Sequence, residues 1–238
     1  MYQGKVVLIT GSSRGVGLEI TKYFINNGAT VIGLSRGYSH YRDEQYIHFP
    51  VDLGDPESIT NCFKKEISKK IKRIDIVINN AAVMTSQYSM IMPIKNAVDM
   101  VNVNLLGVFF VSREAAKLMR GKEQGRIINI GSMASSLEPI GDSIYAATKA
   151  GISSLANVMA KELSSMNITC NTVAITAIET DMLKSHTDSA KEKIKKIVND
   201  LPIPRMAISD DILNVIDFFA SDRSSYVTAQ TIYLGGIN

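Results

Sequence analysis

Lys5-Val-Val-Leu-Ile-Thr10-Gly11-Ser12-Ser13-Arg14-Gly15-Val16-Gly17 lies near the start of the chain, and its reading decides the fold. Residues Lys5 to Thr10 are rich in β-branched types and nearly continuous in apolar ones, as suits a strand covered on both faces. Three glycines then make a tight turn. From Val16 the pattern is helical until Asn26-Asn27-Gly28 stops it. Glycine permits positive φ and lets backbone approach a ligand without a Cβ in the way. The helix beyond the turn offers unpaired N–H groups and a partial positive charge, which suit a pyrophosphate. Gly11, Ser13, Arg14, Gly15, Val16 and Gly17 are therefore candidate nucleotide contacts.

The alternation continues to the end of the chain. Further strands are expected at Thr30–Ser35, Tyr46–Val51, Ile74–Ile78, Arg126–Ile130, Ile168–Ala174 and Thr231–Leu234. Helical patterns fall between them. Asp55-Pro56 caps one that runs to Lys72. Another covers Val98 to Met119 with an interruption at Asn104–Gly107, and a third covers Ile144 to Met166. Such alternation predicts an α/β Rossmann fold of one domain over residues 1–238, a doubly wound parallel seven-stranded sheet with helices on both faces.

Bulk properties narrow the function. At 238 residues the chain can bury a core on both sides of a sheet. Lys+Arg 26 against Asp+Glu 23 leaves +3, too little to indicate a nucleic-acid partner. Cys62 and Cys170 form no CxxC pair, so no metal or redox motif is expected. No apolar run approaches the roughly 20 residues of a membrane span, and no signal peptide precedes the first strand. A cytoplasmic protein with small-molecule ligands, and neither membrane nor nucleic acid, is the expectation.

Chemistry is carried by Tyr145-Ala-Ala-Thr-Lys149, with Ser132 thirteen residues upstream. Tyrosine and lysine four apart on a helix share one face. An ammonium near a phenol favours the phenolate, so a lowered tyrosine pKa is expected. The Ser132 hydroxyl would hold a substrate oxygen while Tyr145 gives or takes its proton. The tip of the second strand should face an adenosine ribose. An acid there would bond both ribose hydroxyls; this chain has Ser35-Arg36, and Arg14 lies within the glycine turn. Two guanidinium groups favour a 2′-phosphate through charge-assisted forks, which points to NADP(H) over NAD(H).

The glycine turn, Ser132 and Tyr145-x-x-x-Lys149, in that order, resemble the short-chain dehydrogenase/reductase family over essentially the whole chain. Asp52-Leu53, Asn79-Asn80-Ala81 and Asn104 within Asn102–Gly107 are further matches. The resemblance implies a hydride-transferring oxidoreductase with Asn104, Ser132, Tyr145 and Lys149 as its catalytic set. It implies that Asp52 and Leu53 hold the adenine, that Asn80 and Ala81 line the coenzyme, and that Lys149 bonds the nicotinamide ribose. It also implies a homotetramer or homodimer built on the long helices ending near Arg120 and Met166. Within the family, Gly125–Ile130, Asn171–Ala174, Thr180-Asp-Met182 and Tyr226–Gln230 resemble 3-oxoacyl-[acyl-carrier-protein] reductases, so the ketone would be a 3-oxoacyl thioester, carrier-bound or free. Arg126 matches an arginine with which those enzymes dock the carrier. Thr176-Ala177 replaces the usual Pro-Gly, Ala82 a usual glycine, and Met166 a second docking arginine. A keto-sugar or other secondary-alcohol oxidoreductase is the enzyme alternative, and a nucleotide-binding regulatory protein the non-enzyme one. Residues 175–205, with Met182, Leu183 and Ile203 as apolar lining, are the expected substrate lid.

Overall fold

The computed structural model describes residues 1–178 and 188–236. Seven strands form one parallel sheet: β1 (Val6–Thr10), β2 (Thr30–Ser35), β3 (Tyr46–Pro50), β4 (Ile76–Asn79), β5 (Gly125–Ser132), β6 (Ile168–Ile175) and β7 (Thr231–Tyr233). Their order is β3-β2-β1-β4-β5-β6-β7, with parallel pairing throughout. The order reverses between β1 and β4, and an open α/β sheet binds its ligands at the carboxyl ends beside such a reversal.

Side-chain alternation along each strand divides the core in two. Val7, Ile9, Ile76, Ile78, Ile128 and Ile130 turn to one face. There they meet Ile20 and Phe24 of α1 (Gly15–Asn26) and Ile212, Ile216 and Phe219 of a later helix, Ser209–Ala220. Leu8, Ile32, Val77 and Ile127 turn to the other face. They meet Ile59 of α2 (Pro56–Cys62), Val111 and Met119 of Val108–Met119, and Ala156 and Met159 of Ser143–Leu163. We call the helices after α2 α3 (Ile94–Val101), α4 (Val108–Met119), α5 (Ser143–Leu163), α6 (Asp188–Asn199) and α7 (Ser209–Ala220).

Two local expectations are corrected. The helix before β5 starts at Ile94 rather than Val98, and Asn104–Gly107 does not interrupt it. A π-helical turn, Asn102–Gly107, carries α3 directly into α4. The continuous run Ile94–Met119 is consequently long and apolar enough, by length and composition, to cross a membrane. No apolar run of that size was expected. Here α4 lies on β4 and β5, with Val111, Ala115 and Met119 in the core. Strand β5 also runs on to Ser132 instead of ending at Ile130, which puts that serine at the strand tip.

Thr10 ties the two halves together at the reversal. Its hydroxyl accepts from the backbone N–H groups of both Asn80 and Ala81, each at 3.0 Å. The Asn80 amide donates back to the Thr10 carbonyl, 3.0 Å away. Thr10→Val keeps the shape and leaves two N–H groups without an acceptor. It should lower unfolding free energy by about 1–2 kcal/mol in urea titration, the cost of two unmet, partly buried donors.

Candidate active site

The glycine turn closes over the end of β1. Gly11 has φ +69° and Gly15 φ +54°, conformations that favour glycine. Gly17 is required by space: a Cβ there would lie 2.1 Å from the Gly11 carbonyl oxygen. A Cβ at Gly15 would meet no atom within 4 Å, so that side of the turn is open. Helix α1 starts here with no side-chain cap on its N–H groups, a ready anion site. Arg14 and Arg36 are both exposed. Among the described residues neither forms an ion pair.

Arg36, Asp52, Asn96, Met100 and Val103 border a cavity of about 260 Å³. Asp52 is held by the Gly54 N–H, which donates to it at 2.9 Å. The Leu53 side chain belongs to the core. Its carbonyl packs on Gly107, where a Cβ would lie 2.5 Å from the Leu53 oxygen, so only a glycine lets the helix come this close. A turn open to an anion, and Arg14 and Arg36 with no ion pair among the described residues, fit a dinucleotide.

The structure gathers Asn104, Ser132, Tyr145 and Lys149 from three elements. The π turn points Asn104 inward, fully buried, and π turns recur at functional sites. Its amide accepts from the Val83 N–H and donates to the Val83 carbonyl, both at 2.8 Å, and donates to Thr148 at 3.3 Å. Ser132, at the tip of β5, accepts from the Ala134 N–H at 3.1 Å and lies close enough to Tyr145 to favour its phenolate. One turn along α5, the Lys149 ammonium donates to the Ile130 carbonyl at 2.8 Å and stands 5.8 Å from the Tyr145 ring centre.

The electrostatics correct one expectation. Tyr145 is held above the ordinary phenol value. Burial raises it, the nearby Ser132 hydroxyl opposes that, and the Asp142 carboxylate raises it again. Lys149 is the group pulled down, by burial alone, to about 8. Its ammonium bonds the Ile130 carbonyl rather than the phenol, so the expected depression of Tyr145 does not arise in this arrangement.

Arg126 is also unlike the expectation. It is 2% exposed, and its guanidinium is spent on the Gly125 and Ser221 carbonyls and on Gln124. Burial of that kind leaves no fork for an acidic carrier. Met182 and Leu183 of the expected lid, and Thr180-Asp-Met182, lie outside the described residues. Val83, Ile130 and Thr148 were missed by sequence reasoning. Two act through backbone atoms, which carry no residue-type signal, and Thr148 is legible only once Asn104 is known to face α5.

Comparison with known proteins gives a consistent family. The family model described as short chain dehydrogenase matches residues 5–191. The 3-oxoacyl-[acyl-carrier-protein] reductase of Vibrio harveyi is 33% identical over 240 residues, covering 98% of this chain and 97% of the relative. That of Escherichia coli K12 is 33% identical over 241 residues, covering 99% and 97%. Among solved structures, a short chain dehydrogenase/reductase family protein superposes with TM-score 0.85 at 27% identity, covering 99% of this chain and 97% of that one. Ligand-free aldohexose dehydrogenase of Thermoplasma acidophilum gives 0.90 at 25%, covering 99% and 94%.

The buried ammonium has a measurable cost. The unfolded chain keeps the Lys149 proton up to about 10.5, whereas the folded chain releases it near 8. The unfolded state binds more protons between those values, so stability rises with pH across that window. At neutral pH the penalty is at most about 3 kcal/mol. Lys149→Met should therefore raise the urea midpoint at pH 7 and flatten its rise between pH 8 and 10.

Proposed function

The chain belongs to the short-chain dehydrogenase family of oxidoreductases, and on that footing we propose that it is an NADPH-dependent reductase that converts a ketone to a secondary alcohol. The observation that carries this reading is the convergence of Ser132, Tyr145, Lys149 and Asn104 near a glycine turn where Arg14 and Arg36 form no ion pair among the described residues.

The bound nicotinamide would supply the hydride. Gly11, Ser13, Arg14, Gly15, Val16 and Gly17 would hold the pyrophosphate, and Arg14 with Arg36 the 2′-phosphate. Asp52, Leu53, Asn80 and Ala81 would bracket the adenine end. The remaining chemistry falls to side chains of this protein. Ser132 donates to the ketone oxygen and stabilises charge developing there. Tyr145 delivers its phenolic proton to that oxygen as it becomes an alkoxide. The raised phenol pKa keeps Tyr145 protonated at neutral pH, the form that a general acid needs. Lys149, freed of water and near neutrality, fixes the nicotinamide ribose and returns a proton towards Tyr145. Asn104, clamped to Val83, holds the helix geometry through which that proton is replaced.

The substrate is a ketone, and a 3-oxoacyl thioester is the first choice because the relatives above are named 3-oxoacyl-[acyl-carrier-protein] reductases. Delivery by a carrier protein would have to use a surface other than Arg126. A sugar or other secondary alcohol is the second reading, favoured by the aldohexose dehydrogenase likeness and by Thr176-Ala177 in the loop after β6. Assembly as a homotetramer or homodimer through α4 and α5 fits Val158 of α5, which is 50% exposed in the single chain.

NADPH oxidation with a panel of ketones and 3-oxoacyl thioesters tests the reading. Tyr145→Phe should reduce turnover at least a hundredfold, the usual size of a lost general acid. Turnover that survives the substitution would falsify the proposed role. Arg36→Asp should weaken NADPH relative to NADH by a factor of tens, as measured by coenzyme titration, since one to two charge-assisted bonds go. An unchanged ratio removes Arg36 from the 2′-phosphate site.

A further inference from the structure

Ser12 and Tyr46 take no part in the mechanism above, yet they meet directly beneath the glycine turn. Ser12 is 0% exposed, and its hydroxyl lies 2.8 Å from that of Tyr46 on β3. The tyrosine reaches it across β2. It passes over Gly33, where a Cβ would stand 2.3 Å from Ser12 Oγ and 2.4 Å from the Tyr46 hydroxyl. Gly33 has no positive φ, so a glycine is needed here only for space. Tyr46 is held in turn by its neighbours. Tyr41 packs against its ring edge-on at 5.5 Å, and His48 lies 6.0 Å away. His48 shares a 2.8 Å hydrogen bond with Ser35, which donates to the Gly37 carbonyl. One aromatic side chain thus stands between the turn that carries Arg14 and the loop that starts at Arg36.

We propose that Tyr46 is a positioning residue for the dinucleotide, holding the glycine turn in its ligand-receiving shape through the Ser12–Tyr46 hydroxyl pair. This rests on the coenzyme reading given above. The physical reason is preorganisation. A turn with glycines at positions 11, 15 and 17 has wide backbone freedom, and ordering it on binding would subtract from affinity. A partly buried hydrogen bond from a packed aromatic ring meets that cost during folding. The pair touches no ligand itself and acts only through the turn's backbone.

The test is a double-mutant cycle on coenzyme affinity, read by quenching or enhancement of nicotinamide fluorescence. Tyr46→Phe and Ser12→Ala each delete one hydroxyl and retain the packing. Each should raise the Kd of NADPH roughly three- to tenfold, the size of one net hydrogen bond. NADH should lose the same factor, because the pyrophosphate is common to both. The double variant should bind no more weakly than the weaker single one, since both delete one interaction. KM for coenzyme should rise while kcat at saturating coenzyme holds, and thermal melting of the unliganded variants checks that the fold is intact. An unchanged Kd in Tyr46→Phe, or losses that multiply in the double variant, overturns the proposal. If the unsubstituted protein binds no dinucleotide at all, the coenzyme reading falls and takes this one with it. If it binds and Tyr46→Phe is indifferent, only the positioning role falls.

Discussion

A single oxygen, the Thr10 hydroxyl, accepts from the N–H groups of both Asn80 and Ala81, and the geometry of the crevice depends on that junction. Strand order reverses between β1 and β4, so the chain leaves these two neighbours in opposite directions. A gap opens at their carboxyl ends, where backbone groups run short of partners. Thr10 supplies the missing acceptor on one side. The Asn80 amide, donating to the Thr10 carbonyl, supplies the missing donor on the other. With that joint closed, the glycine turn after β1 and the loop after β4 hold a fixed separation. Gly17 seats against the Gly11 carbonyl within it, and the segment from Asn80 leads on to Val83, the residue that clamps Asn104.

From this joint the catalytic side follows by packing. The π turn carries one extra residue within the helix that faces β4 and β5, which rotates Asn104 inward at the cost of helix regularity. Asn104 meets Thr148 on α5, and α5 presents Tyr145 and Lys149 to the tip of β5. Lys149 is a charge placed where the core would favour an apolar residue. One carbonyl, that of Ile130, is its only recorded hydrogen-bond acceptor among the described residues. Energetically this is a weak point in the fold, and burial brings the ammonium down to about 8. Sites of this kind trade stability for chemistry.

Several features show where residue types and structure part company. Asn102-Val-Asn-Leu-Leu-Gly107 reads as a break because asparagine and glycine disfavour helix interiors. Tertiary contacts overrode that preference, since Gly107 lets the helix approach Leu53 and Asn104 finds both partners on Val83. Arg126 reads as a surface cation by type. Its position on an inner strand and three backbone and amide acceptors turned it inward. The Tyr145 phenol reads as depressed by its lysine, and burial reversed the direction. In each case the deciding term was desolvation or a backbone partner, neither of which spacing along a chain can register.

By itself the sequence determined the strand–turn–helix periodicity, the parallel sheet, the glycine turn and the identity of the four candidate catalytic side chains. Those features rest on local rules: side-chain alternation, helix period, and the need for glycine where φ is positive. Only the tertiary structure decided which of these residues meet and what state they hold. It brought Asn104 to Val83 and Thr148, Lys149 to the Ile130 carbonyl, and Tyr46 across Gly33 to Ser12. The reason is that protonation and hydrogen bonding respond to burial and to partners distant in the chain, and those exist only once both faces of the sheet are covered.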